Sequence, residues 1–450
     1  MRILLLFIGV CASAADWPTY RGDDGRSGVS TEQLKLPLDQ SWIHHPLHPP
    51  RPAWRGPAKA DLYNKQYNLK NRQLFDHAFH VIADAQSVYF GSSADDQVHC
   101  LNAATGNERW TYFTEGPVRL APTLHANRLF VGSDDGHAYC LSTEGKLIWR
   151  QRLAPRDYRI AGNNRIISAW PLRTGILVRD EIAYAGAGMF PSEGVHVLAF
   201  NANDGKEKWR TIQTDLPAQG YLLLSKSRVY VPAGRNNPVV FDQGTGKIVH
   251  KVSASADAFT LIKWNEKSLP NSRQSGRTLG LIEAEKQDSY ATFTGNRMIV
   301  DGGKSYLQAH RELSVLDRAR YLELERDHKV MAGKREKLGK QLAQLRKQKS
   351  PEVPKIQEQL IASGRALDEI QAKIKGCVIW RTPCDQPHAL ILAGDTLFAG
   401  GNNEIVAYST ADGKKIWRAP VRGVALGIAV AHGRLLVSTD QGAIHCFTSK

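Results

Sequence analysis

The 450-residue chain has few methionines, four, and few cysteines, six, and nowhere does it reach the roughly 20 consecutive apolar residues a membrane-crossing helix needs. Its cysteines form neither a Cys-Cys dipeptide nor a Cys-x-x-Cys-His motif, which argues against covalently attached haem. Gly-x-Gly occurs, as in Gly186-Ala187-Gly188, but in hairpin contexts and never opening a helix after a strand, so a phosphate cradle is not indicated. No arginine-rich stripe alternates with aromatics. The formal charge of +15 is spread thinly except between Gln308 and Gly376, where 16 Lys and Arg meet 10 Asp and Glu. This distribution argues against nucleic acid as a partner.

What is present begins with a leader. Arg2, the apolar run Ile3 to Val10 and the small residues Ala12-Ser13-Ala14 have the three parts of a secretory signal. Residues 1–14 are read as a signal peptide cleaved after Ala14, and the mature chain is expected in the periplasm or secreted. Cys11 raises the question of lipidation, although Val10 is bulky where a lipobox has a small residue.

Self-similarity then decides the fold. Ser87 to Trp110 and Arg128 to Trp149 share a β-branched or aromatic strand, a Gly turn, a second strand, then Gly and Trp. The unit returns at Ile182 to Trp209, at Arg228 to Gly246 and at Thr396 to Trp417, and a partial copy starts at Arg434. Each unit reads as four short antiparallel strands, and a lone unit of this kind cannot bury both its faces and must stack on neighbours. The expected fold is all-β, a β-propeller of seven four-stranded blades starting near Val81, Ala121, Gly175, Tyr221, Ala291, Ala389 and Gly427. Eight blades stay open because Ser255 to Lys286 has room for two degenerate strands. Trp42 has the context of a last strand, so the N-terminal region is expected to complete the final blade. Trp42, Trp110, Trp149, Trp209, Trp380 and Trp417 are read as structural wedges between blades, each indole N–H finding a backbone acceptor.

The repeat Leu101-Asn102-Ala103-Ala104-Thr105-Gly106 followed by Trp110 resembles the pyrroloquinoline-quinone repeat of quinoprotein alcohol dehydrogenases and of the propeller lipoprotein of the outer-membrane assembly machinery. The opening Trp17-Pro18-Thr19-Tyr20-Arg21-Gly22 looks like the lead-in of exported bacterial propellers of this quinone-repeat-like type. The resemblance implies the propeller fold over nearly all the chain outside Gln308 to Gly376. For an enzyme of that family it also implies pyrroloquinoline quinone on an aromatic floor, Ca²⁺ on oxygen ligands and an aspartate base. That set is not assignable here: the family's adjacent-cysteine pair is absent and the units are too compact for its catalytic loops. No cofactor and no metal ion are therefore expected.

Between residues 308 and 376 the apolar period changes from two to a heptad-like one, with Leu338, Leu342 and Leu345 continued by Val353, Ile356, Leu360, Leu367, Ile370 and Ile374. Two helices of roughly 30 and 25 residues, joined around Ser350-Pro351, read as an antiparallel coiled-coil hairpin dividing the propeller into residues 15–307 and 377–450. At 1.5 Å per residue such an arm reaches about 40 Å. Its polar outer face is either simply solvated or a surface for protein contacts.

Cys100, Cys140 and Cys446 occupy one position in three units and read as small buried residues rather than metal ligands. Cys377 and Cys384 flank Trp380, and both a disulfide and two separate thiols are open to them. Register supplies the candidate binding residues. His77, Arg119, Arg173, Gln219, Asp288 and His388 fall at or beside the entry to the first strand of successive units, where a propeller's central channel opens. They form either an ordinary hydrated polar lining or a mildly basic funnel for a small anionic or polar ligand. No catalytic residue is assigned. The leading functional expectation is a non-catalytic binding or scaffolding propeller of the periplasm or cell envelope, meeting envelope proteins through its disc faces and its arm. A quinone-dependent alcohol or sugar dehydrogenase and a polysaccharide-binding module are the alternatives.

Overall fold

The computed structural model describes residues 15–53, 74–162, 165–234, 236–251, 268–272, 278–283, 289–294, 297–309 and 311–450. Residues 1–14, read in sequence as a signal peptide and including Cys11, and Asp288 lie outside them. The chain divides into two compact units, one formed by residues 1–261 with 386–450 and the other by residues 262–385.

In the first unit four separate four-stranded antiparallel sheets follow one another. Sheet I contains Ile82–Ala83, Ser87–Gly91, Gln97–Asn102 and Glu108–Phe113; sheet II contains Thr123–His125, Arg128–Gly132, His137–Ser142 and Leu147–Arg152. Sheet III contains Leu177–Arg179, Ile182–Ala187, Val195–Asn201 and Glu207–Gln213; sheet IV contains Leu223–Leu224, Arg228–Ala233, Asn236–Asp242 and Ile248–Lys251. A further eight-stranded sheet holds two more sets of four, because the 17-residue strand Lys415–Ala431 runs through both. In the second of these sets, Leu38–His44 pairs antiparallel with Ile444–Ser449, so a segment from the start of the chain supplies the outer strand.

Strand alternation explains how the sheets stack. In sheet I, Val88 and Phe90 join one core cluster with residues of the eight-stranded sheet such as Leu435 and Phe447. Their neighbour Tyr89 points the other way, into a cluster with Leu129, Val131 and Tyr139 of sheet II. Phe130 and Cys140, on the opposite face of sheet II, pack with Ala185 and Phe200 of sheet III, and Tyr184 of sheet III packs with Val229 and Phe241 of sheet IV. Both faces of each sheet are therefore buried, which is why strands such as Ser87–Gly91 are buried at every position.

The tryptophans lie on the outer strands and always in the same local geometry. Trp110 pairs with Cys100, after which the register slips so that Glu108 pairs with Leu101, leaving Arg109 as a bulge. The same one-residue slip precedes Trp149, Trp209, Trp417 and Trp42, opposite Cys140, Ala199, Ala407 and Cys446. A bulge twists the edge and re-aims the side chain that follows it. Each indole N–H then donates to a backbone carbonyl of the next set at 2.9–3.1 Å: Trp417 to Leu38, Trp42 to Ala103, Trp110 to Thr143, Trp149 to Ala202 and Trp209 to Gln243. The ring covers the turn there so closely that a Cβ on Gly145 would sit 2.6 Å from Trp110, and one on Gly246 would sit 2.4 Å from Trp209.

This geometry also accounts for the three repeated cysteines. The residue opposite the tryptophan must be small, and Ala199 and Ala407 serve where Cys100, Cys140 and Cys446 serve elsewhere. Burial pushes the Cys100 and Cys140 thiols up to about 11 and the Cys446 thiol up to about 12, so they are inert at neutral pH.

The second unit holds a three-stranded sheet, Ser268–Ser272, Thr278–Glu283 and Ser289–Thr294, and a four-stranded sheet, Arg297–Asp301, Lys304–Gln308, Glu312–Asp317 and Val378–Pro383. Two sequence expectations are corrected here. Ala291 lies in the last strand of the three-stranded sheet, and the four-stranded set starts at Arg297. The helical hairpin starts at Arg318 rather than near residue 308, because Glu312–Asp317 is a strand and the Asp317 carboxylate caps the first helix at the Arg320 N–H.

The first helix, α1, spans Arg318–Lys347 and the second, α2, spans Val353–Lys375, inserted between the third and fourth strands of that sheet. Near the sheet, Leu322 and Leu324 pack with Met298, Leu307, Leu316 and Cys377. Farther out, Leu338 and Leu342 of α1 pack with Ile356 of α2. Among the described residues no helix is long and apolar enough to cross a membrane. Cys377 and Cys384 are both thiols. They bracket the extended strand Val378–Pro383, whose rise of about 3.3 Å per residue separates them by about 20 Å, far beyond the reach of a disulfide.

The wedge geometry sets an expectation for stability. Gly145 has φ +82°, so Gly145→Ala adds left-handed strain to the steric overlap with Trp110 and should cost about 2–4 kcal/mol. Trp110→Ala should cost about 3–5 kcal/mol. Gly433→Ala, at φ +76° with nothing within 4 Å of the new methyl, should cost only the backbone part, about 1–2 kcal/mol. Urea unfolding midpoints of the three variants check this order.

Candidate functional site

The inner edge of the first unit is formed by the short first strands and the linkers that lead into them. Arg119 lies in the linker before the first strand of sheet II, and Arg173 lies in the equivalent linker before sheet III. Both reach one carboxylate, Asp134, in the turn after the second strand of sheet II. Arg119 Nε donates to Asp134 Oδ2 at 2.6 Å, and Arg173 Nε and Nη2 donate to its two oxygens at 2.9 and 2.8 Å. Arg119 Nη1 also donates to the Arg51 carbonyl at 2.7 Å and to Asp76 at 3.3 Å. All four charged side chains are essentially out of solvent, with relative exposures of 5% for Arg119, 2% for Arg173, 0% for Asp134 and 3% for Asp76.

The electrostatics follow from this arrangement. Burial alone would raise the Asp134 carboxyl, but the charges of Arg119 and Arg173 outweigh it and hold the group below the ordinary carboxylate range. Burial likewise opposes the charge on Arg119, and Asp134 and Asp76 outweigh it, so the guanidinium stays ionised. Two arginines and two aspartates thus balance, and the basic character expected of Arg119 and Arg173 is spent inside the protein.

The other expected residues are dispersed. Gln219 lies beside Arg173, since the Gly220 N–H donates to the Arg173 carbonyl at 2.8 Å, and its Oε1 is buried without a hydrogen-bond partner. His77 follows Asp76 in sequence and its Nε2 is also buried without a partner. His388 immediately precedes the strand Ala389–Ala393 of the eight-stranded sheet, and its Nε2 is 2.8 Å from Asn402 Oδ1.

The residues that register alone did not single out come from residues 17–28. Residues 17–28 run across the first strands of every set in the unit except the last. Trp17 bridges Ala83 of sheet I, and the Pro18 carbonyl accepts from Leu124 of sheet II at 2.7 Å. The Asp24 carbonyl accepts from Leu224 of sheet IV at 3.0 Å, its carboxylate takes Arg179 of sheet III at 2.8 Å, and the Gly28 carbonyl accepts from Leu392 at 2.9 Å. Inside this strap, Tyr20 lies flat on Tyr221 with ring centres 3.7 Å apart and 8° between planes. The Arg26 guanidinium sits 5.2 Å from the centre of the Tyr221 ring and donates to the Leu222 carbonyl at 2.9 Å. His80 meets the edge of Tyr20 at 4.8 Å. Burial, reinforced by His77, lowers His80 to about 4, so it is neutral under ordinary conditions.

The family model described as "Outer membrane protein assembly factor BamB", a pyrroloquinoline-quinone-like repeat model, matches residues 52–169, 139–300 and 365–450. The chain belongs to the pyrroloquinoline-quinone-like repeat β-propeller family. The quinohemoprotein alcohol dehydrogenase of Comamonas testosteroni is similar in structure, with TM-score 0.60 and 13% identity over 99% of this chain and 82% of that one. A europium-containing methanol dehydrogenase gives TM-score 0.56 and 10% identity over 96% and 98%. The computationally designed protein Ika8 gives TM-score 0.56 and 10% identity over 83% and 97%. At such identities the likeness is one of fold. No curated protein matches the chain.

Two outcomes are expected of this region. Asp134→Asn leaves two buried guanidinium groups facing a neutral amide and should lower stability by about 3–5 kcal/mol, read from urea unfolding at neutral pH. The pH profile carries the second. Burial lowers His80, His196 and His445 to about 4, helped by His77, Arg210 and His45 respectively. Each is protonated in the unfolded chain below about pH 6.5 but not in the native one until about pH 4. Their stabilising contribution is therefore complete above about pH 6.5 and is lost as pH falls towards 4, by at most on the order of 3 kcal/mol per histidine. Unfolding free energies measured across this window should decline, and His80→Phe should flatten part of the slope.

Proposed function

We propose that this protein is an exported, non-catalytic binding or scaffolding module of the cell envelope, with an eight-bladed propeller as its body. The description carried by the family model, an outer membrane assembly factor, favours an envelope role with protein partners. Eight blades are favoured because the described strands, apart from the two-stranded ribbon Arg159–Gly162 with Arg165–Ser168 and the short strand Val29–Ser30, fall into seven sets of four and one of three.

The observation that carries the non-catalytic reading is internal compensation along the inner strands. Arg119 and Arg173 are consumed by Asp134, and Tyr20 is consumed by Tyr221. The alternative reading, a quinone-dependent dehydrogenase, needs a flat ring exposed to receive a planar cofactor and carboxylates free to ligate Ca²⁺. Tyr20 and Tyr221 are already in face contact, and the Asp134 oxygens already accept from two guanidinium groups. These residues do not fit the quinone and its cation, and the proposal is that neither is held. Any small ligand at this edge would meet His77, His80 and Gln219 rather than a basic funnel.

Titration of the purified protein with pyrroloquinoline quinone and Ca²⁺ separates the readings. The expected outcome is no dye-linked oxidation of alcohols or sugars and no shift in melting temperature. Saturable activity with both additions would overturn the proposal.

A further inference from the structure

We propose that the distal end of the helical hairpin is a docking surface for a membrane carrying anionic phospholipid head groups. The inference deepens the envelope reading, since it names what one part of the molecule would touch there.

The charge of the hairpin is segregated. From Lys334 through the tip to Lys355, eight Lys and Arg stand against only Glu336 and Glu352. The remainder is nearly balanced, with four cations to three anions in Arg318–Gly333 and three to three in Ile356–Lys375. All eight distal cations are exposed. Glu336 is engaged by Lys340 at 2.7 Å, so the anions do little to neutralise the rest.

Helix stability does not require this pattern. Arg346 and Lys347 suit the negative end of α1, but Lys355 stands in the first turn of α2, at the positive end of that helix, where a cation is unfavourable. Lys334, Arg335, Lys337 and Lys340 lie several residues or more from either terminus. Nor do the cations form a stripe fit for one extended peptide. At about 100° per residue, Lys340 and Lys347 point away from the Leu338–Leu342 seam, whereas Lys337 and Arg346 flank it on opposite sides.

The chemistry of the tip favours a lipid surface over a folded protein. Residues 334–355 contain no aromatic residue and expose no large apolar side chain. Packed protein interfaces take most of their energy from buried aromatic and arginine anchors seated in pockets. Cations spread around the end of a rod, with no aromatic or large apolar anchor among them, suit a laterally extended, diffuse anionic plane met end-on. Near such a plane each Lys or Arg raises partitioning about fivefold, equivalent to about 1 kcal/mol.

Co-sedimentation of the full chain with phosphatidylcholine vesicles, with and without phosphatidylglycerol, tests this. The chain should bind only the anionic vesicles, and binding should fall as salt shortens the Debye length. The fourfold variant R346Q/K347Q/K349Q/K355Q should bind at least about 50-fold more weakly, while R365Q/K373Q/K375Q, altered nearer the sheet, should bind as the parent does. All these side chains are exposed or partly exposed and circular dichroism should be unchanged in both variants. Absence of binding, binding undiminished in the tip variant, or tighter capture by polyglutamate than by vesicles of equal charge would overturn the proposal. None of these results would alter the outcome of the quinone titration, so the two readings fail separately.

Discussion

An indole lodged between its own sheet and the turn of the next is the contact on which the first unit depends. It demands four things at once: a bulge to aim the ring, a small residue opposite it, a glycine where the ring lands, and a carbonyl free to accept its N–H. All four recur at Trp42, Trp110, Trp149 and Trp209, and all but the glycine recur at Trp417, and they explain residues that otherwise look functional. Cys100, Cys140 and Cys446 lie under rings, not around a metal. Because successive sheets are clamped together through these indole contacts, stability is shared among neighbours rather than held by any one sheet.

The repeated Gly and Trp spacing made the strand sets readable, since the wedge leaves the same mark in each copy. Where the mark fades, the reading slipped. Sheet IV has His250 at the tryptophan position, opposite Val240, and the segment between it and Arg297 carries no Gly and Trp signature at the expected interval. The sequence reading therefore gives Ser289–Thr294 to the set that follows and leaves the two strands before it open as a degenerate pair. The helical hairpin was legible from its apolar period, but its start was placed ten residues early because Glu312–Asp317, a strand, is polar and apolar in equal measure. A disulfide between Cys377 and Cys384 looked open in sequence only because seven positions say nothing of distance until the strand between them is known to be extended.

The candidate site shows the same boundary between local and long-range information. Register brought Arg119 and Arg173 to equivalent positions on adjacent sheets, which the structure shares. Their common partner was not legible, because Asp134 lies 15 residues from one and 39 from the other and belongs to a turn that reads simply as Ser-Asp-Asp-Gly. Tyr20 was visible in the opening motif, but not the reason for it, and Arg26, just beyond that motif, carried no signal of its own. That motif is a strap whose backbone follows the first strands of several sheets, and Tyr20 and Arg26 complete the packing around Tyr221. Buried ion clusters of this kind are costly to desolvate, and fully paired they specify one arrangement of sheets.

The pairing of Leu38–His44 with Ile444–Ser449 sets a timetable for biogenesis. Leu38–His44 must wait, unpaired along one edge, until Ile444–Ser449 has been delivered. Sheets I to IV can assemble in the order in which they emerge, whereas the set that joins both ends cannot. Removal of either Leu38–His44 or Ile444–Ser449 would therefore be felt in the same sheet.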